Sequence, residues 1–135
     1  MPRLSVWMLR LSLLALLAGA AVGALLLSGV AGPARHSTQL RDLHLKLMLF
    51  GWLIQFVLGV AYWILPRYGS LPERGSARLA WTAFGLFQAG MVVSAAGVAD
   101  PSLKTVAPAG RLLLAGATLM FVVQLLPRIK PFGTP

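Results

Sequence analysis

The sequence contains no cysteine, and only 11% of its 135 residues are charged. The missing cysteines exclude disulfides, thiolate metal sites and cysteine nucleophiles. A soluble domain would carry about a quarter charged residues. Acids are especially scarce, only Asp42, Glu73 and Asp100, and none lies inside a long apolar run. No intramembrane carboxylate pair is therefore available for proton pumping or general acid–base work. Glu73 and Asp100 read as solvated loop charges, and Asp42 as a cap for the helix that follows it.

What remains is apolar. Hydrophobic residues make up 58% of the chain. They fall into four runs, about 11–30, 43–65, 79–99 and 109–126, each close to the ~20 residues that cross a bilayer core. A short basic start (Arg3, Arg10) before the first run also fits a signal peptide. However, the run is long for one, and Ala15, Gly19, Gly23 and Ala24 suit helix–helix packing. Pro66 stops the second run and Pro127 the fourth. Arg111, in the first turn of the fourth, is placed to snorkel to the interface. The connections are short, which makes consecutive helices antiparallel neighbours. The expectation is an all-α integral membrane protein, an up-down four-helix bundle, with residues 1–135 forming one transmembrane domain.

The net charge of +9 has a simple reading in such a chain. Lys and Arg flank membrane spans and meet anionic headgroups, so nucleic-acid binding is not expected. One side carries seven of them: Arg3, Arg10, Arg67, Arg74, Arg78, Arg128 and Lys130. The other carries five: Arg35, Arg41, Lys46, Lys104 and Arg111. The bias places both termini in the cytoplasm and the start of the second helix outside, in a cell (inner) membrane.

His44 falls in the first turn of the second apolar run, two residues past Asp42. Such a residue is a functional candidate, and neutral imidazole is a common metal and haem ligand. The plainer alternative is an interfacial histidine bonded to headgroups or to a neighbouring helix. His36, eight residues earlier, reads as a loop residue. Gln55, Gln88 and Gln124, one in each of three spans, read as amides bonding between helices. Trp7, Trp52, Tyr62, Trp63 and Trp81 read as interface anchors, and Met48 and Met91 as packing residues able to ligate iron.

Residues 43–68 read LHLKLMLFGWLIQFVLGVAYWILPRY. This stretch resembles the second transmembrane helix of subunit I of the haem-copper oxidases and nitric-oxide reductases. The shared features are a histidine at the outer end, a Phe- and Gly-containing apolar run, and a later glycine with an aromatic pair before a closing proline. They fall on His44, Phe50, Gly51, Gly59, Tyr62, Trp63 and Pro66. In that family the histidine ligates the low-spin haem, so the resemblance implies that role for His44. The family's second haem ligand and its copper-binding histidines lie on later helices that have no counterpart here. The resemblance therefore implies at most a low-spin haem site and no dioxygen-reducing centre.

One histidine supplies one axial ligand. A two-fold homodimer would bring His44 of both copies to one haem b, with Arg35, Arg41 and Lys46 near enough in sequence to meet its propionates. His36, Met48 and Met91 are alternative ligands. The expected function is a membrane b-type haem protein that transfers electrons or binds haem or a diatomic gas, beside respiratory-chain proteins and with no independent catalytic activity. The alternative is a haem-free accessory or assembly subunit of a respiratory oxidase. A small transporter ranks below both, because the spans lack charges and paired helix breaks.

Overall fold

The computed structural model describes residues 1–29, 34–66, 75–99, 101–103 and 105–129. Among them the secondary structure is entirely helical: α1 (Arg3–Leu27), α2 (Ala34–Lys46), a π-helical stretch (Leu47–Ile54), α3 (Gln55–Ile64), α4 (Ala77–Ala99) and α5 (Ala107–Leu125). Single 3₁₀ turns follow α4 (Pro101–Leu103) and α5 (Leu126–Arg128). The segments α2, π and α3 run on without a break, so four helices are long and apolar enough to cross a membrane: Arg3–Leu27, Thr38–Ile64, Ala77–Val98 and Ala107–Arg128. The chain is a multi-pass membrane protein.

Local chemistry sets the ends. Pro66 forces the residue before it out of the helical region, and Leu65 is extended there, at φ −59° and ψ 141°. Ser76 opens α4, its hydroxyl accepting the Leu79 N–H at 3.3 Å. Pro108 sits in the first turn of α5, where its missing N–H costs nothing.

The helices associate in two intimate pairs, α1 with the second span and α4 with α5. Small residues let the backbones approach, as lipid-embedded helices require. A Cβ on Gly110 would stand 2.6 Å from the Ser94 nitrogen, and one on Gly90 would stand 2.9 Å from the Gly110 oxygen. At the end of the bundle near Pro66 the pairs join around Leu4, Met8, Leu58, Tyr62, Ala83 and Phe121. Large apolar side chains such as Leu17, Val92 and Leu112 point outward, as a lipid-facing surface demands. Gln55 donates across to the Met8 carbonyl at 3.1 Å and Gln124 to that of Ser76 at 2.9 Å, the interhelical role expected of such amides.

Three local expectations need correction. The second helix starts at Ala34, well before its apolar run, so the backbone of His36 is helical rather than part of a loop. From Ala34 to Lys46 there is no glycine or proline, and Ala, Arg, Gln, Leu and Lys propagate a helix well. Asp42 consequently lies inside the helix and caps nothing; it pairs with Lys46 one turn on, at 2.7 Å. Tyr62 is buried at 5% exposure instead of anchoring at the interface. The other two acids, Glu73 and Asp100, lie outside the described residues, as do Arg67, Arg74, Lys104 and Lys130.

Candidate functional site

His44 sits in the last turn of α2, on the face that packs against α1. Its Nδ1 lies 2.8 Å from the Gly19 carbonyl oxygen. A carbonyl can only accept, so Nδ1 carries the proton and donates. In the neutral ring this leaves Nε2 with a free lone pair. A metal-bound histidine is commonly held in this way, one nitrogen donating to a backbone carbonyl while the other ligates.

Two glycines on α1 make room for the arrangement. A Cβ on Gly23 would stand 2.9 Å from His44 Cε1 and 3.1 Å from Nδ1. Any larger residue there would push the imidazole aside. One turn earlier, a Cβ on Gly19 would stand 2.8 Å from Met48 Sδ. The spacing of Ala15, Gly19 and Gly23 repeats every four residues, so all three lie on one stripe of α1. That stripe receives Gly51, Met48 and His44 in turn.

The His44 ring opens on a cavity of about 650 Å³ lined by Gly23, Leu26, Leu27, Thr38, Arg41, His44 and Leu45. Its size is in the range of small-molecule and cofactor sites. Its walls combine leucines with one exposed arginine. The donor set fits a haem: one imidazole with a free nitrogen, apolar walls, and a guanidinium able to pair with a carboxylate.

The remaining candidate residues are distributed unevenly. Arg41 shares the cavity with His44. Lys46 does not: two residues along a helix is about 200° around its axis. The Lys46 ammonium donates instead to Asp42 and, at 3.3 Å, to the Ser94 carbonyl on α4. Met48 follows His44 by one turn but faces the Gly19 backbone rather than lining the cavity. Met91 packs toward Gly51 in the bundle interior. His36 is two turns before His44 on the same helix, about 12 Å along its axis; its side chain and that of Arg35 lie outside the described residues. No group of three or more His, Cys, Asp or Glu gathers among the described residues.

The cytochrome c and quinol oxidase polypeptide I family model matches residues 3–134. That is nearly the whole chain. The chain belongs to this family. It is thus a haem-copper-oxidase-related membrane protein, from a family whose members bind haem. No curated protein and no solved structure matches it significantly. The ring of His44, the histidine singled out by sequence, is oriented by a neighbouring helix.

One prominent residue was not among the site candidates. Arg128, in the turn after α5, is only 1% exposed. It donates to the carbonyls of Pro66 at 2.9 Å, Tyr62 at 3.1 Å and Leu65 at 2.6 Å, and its guanidinium lies 5.4 Å from the Tyr62 ring centre. These carbonyls belong to the end of the second span, where intrahelical partners run out. The residue satisfies them with a charge of the favoured sign. In the sequence, an arginine just past a span looked only like an orientation signal.

Proposed function

We propose that the chain is a membrane-bound b-type haem protein, with His44 as the iron ligand at the outer face of a cell membrane and both termini in the cytoplasm. The single observation that carries this reading is the donation from His44 Nδ1 to the Gly19 carbonyl, which leaves Nε2 as the lone-pair nitrogen beside the cavity. Haem, when bound, would supply the redox or gas-binding chemistry. Every other task falls to the chain. Gly19 fixes the tautomer and ring plane, and Gly23 leaves space for the ring. Leu26, Leu27 and Leu45 supply an apolar wall, and Arg41 is the residue placed to pair with a propionate. Arg35 is a further propionate partner from its position one turn or more before Arg41.

Among the described residues one histidine, His44, lines this cavity. A second copy related by a two-fold axis would close it and contribute its own His44. The proposal is therefore a homodimer sharing one haem b, each chain a single transmembrane domain, serving electron transfer among respiratory-chain proteins. His36, Met48 or Met91 would be the second ligand only if the haem were not shared.

The test is a visible spectrum of protein purified in mild detergent, oxidised and dithionite-reduced, with a pyridine haemochrome assay. A sharp reduced α-band at about one haem per two chains is expected for a bis-histidine site. One haem per chain would remove the shared site while keeping the cytochrome. A carbon monoxide shift would indicate an open coordination position and favour gas binding over electron transfer.

The Gly19 bond also supports a second reading. It satisfies His44 within the chain, so the ring is held without any ligand. A haem-free accessory subunit of an oxidase would show the same contact. Colourless protein that stays colourless after haem supplementation, and co-purifies with oxidase subunits, would favour that reading.

A further inference from the structure

A second cavity, of about 610 Å³, lies between the second span, α4 and α5 and shares Thr38 with the His44 cavity. Its polar lining is Thr38, Gln39, Asp42 and Lys46 from the second span and Arg111 from α5, with Gly97 of α4 at its wall. Asp42 and Arg111, its other charged residues beside Lys46, take no part in the haem reading.

The charge arrangement is unusual for a membrane helix. Lys46 is 8% exposed, yet its ammonium sits within a membrane-spanning segment. A buried ammonium is costly unless paired and hydrogen-bonded. Asp42 at 2.7 Å and the Ser94 carbonyl at 3.3 Å meet that need. The Asp42–Lys46 pair is neutral as a unit. Arg111 adds a full positive charge at the mouth, and the N-terminal end of α5, beginning at Ala107, adds the positive pole of its dipole. The C-terminal end of α4, at Gly97 and Val98, brings the opposite pole to the same cavity, so the charge left without a counter-charge is that of Arg111. The cavity is also at the end of two apolar spans, at the depth where a bilayer places its headgroups. Leu112 beside Arg111 is 73% exposed and continues the apolar surface away from the mouth.

We propose that this cavity binds the phosphate headgroup of an anionic lipid, with Arg111 as its ion-pair partner and the Lys46 ammonium as a second donor. A lipid phosphate supplies the negative charge that the cavity lacks. Its acyl chains would follow the apolar surface below Arg111. Thr38 and Gln39 are positioned to contact a glycerol headgroup hydroxyl.

The chain has a net charge of +9, so a diffuse preference for anionic lipid is expected anyway. The test must separate a site from this background. Protein in nanodiscs of mixed phosphatidylglycerol and phosphatidylcholine is released into the gas phase, and retained lipids are counted by native mass spectrometry. One phosphatidylglycerol per chain is expected to survive. Arg111→Gln should lower its retention about tenfold, equivalent to ~1.4 kcal/mol. Arg78→Gln removes the same charge from another exposed position and should leave retention unchanged. The double variant Asp42→Asn/Lys46→Gln, which removes both partners together and avoids a lone buried charge, should also lose the lipid. Equal losses in Arg111→Gln and Arg78→Gln would overturn the site. Displacement of the lipid by millimolar inorganic phosphate would make it a free-anion site and overturn the lipid assignment.

Discussion

The two ends of the second span are built on opposite plans. At the Pro66 end, one arginine from the turn after α5 closes three backbone carbonyls and covers the Tyr62 ring. The guanidinium there is committed to the backbone of the second span. At the other end, His44 is held by one bond to Gly19 and keeps a nitrogen in reserve beside an open cavity. The lesson is that a buried cation brought in from the turn after α5 to close one end of the second span and a half-buried histidine at its other end carry different kinds of information. The arginine closes a helix end, whereas the histidine is oriented by one bond and keeps a lone pair.

That contrast can be broken from either side. The largest effect is expected for Arg128→Ala, which strands the carbonyls at the end of the second span. Loss of a buried cation with several charge-assisted bonds should destabilise by about 3 kcal/mol, read from unfolding in mixed detergent micelles. The haem content of the folded fraction should not change. A loss below ~1 kcal/mol would mean that water or lipid replaces the guanidinium, and the closed end would then be no more structural than the open one.

Gly23→Leu comes next. Its side chain would occupy the space of the His44 ring, at a cost of ~1–3 kcal/mol for overpacking. Here the functional effect should exceed the structural one: haem retention should fall sharply while the helices stay assembled. Full haem retention in this variant would show that the ring need not lie against α1.

The smallest effect is expected for Gln55→Leu, which removes the bond to the Met8 carbonyl. Interhelical side-chain bonds in membranes average ~0.6 kcal/mol and reach ~1.7. The same unfolding assay should therefore register a shift of that order, with no change in the visible spectrum. A change in the spectrum would tie the middle of the second span to the His44 end.

Much of this was readable from the chain. Four apolar runs separated by Pro, Gly and charge specify four spanning helices, because lipid leaves the backbone few alternatives. His44 was legible because it is an imidazole standing at the start of an apolar run. Other features were not. The helix begins at Ala34 because polar residues can extend it beyond the apolar run, and hydropathy marks only the apolar part. The separation of Lys46 from His44 depends on helical phase, which proximity in sequence conceals. The Gly19 acceptor is 25 residues from His44, and Arg128 meets carbonyls more than 60 residues away. Such contacts are set by how the helices pair, which no local pattern records. The small-residue stripe at Ala15, Gly19 and Gly23 announced close packing, but it did not announce its partner.

The most direct test of the central claim is the pyridine haemochrome of His44→Ala beside the parent protein and His36→Ala, all purified in the same detergent. His44→Ala should lose the reduced α-band and its haem while remaining helical by circular dichroism, and His36→Ala should keep both. An unchanged haem spectrum in His44→Ala would contradict the role of His44 as ligand.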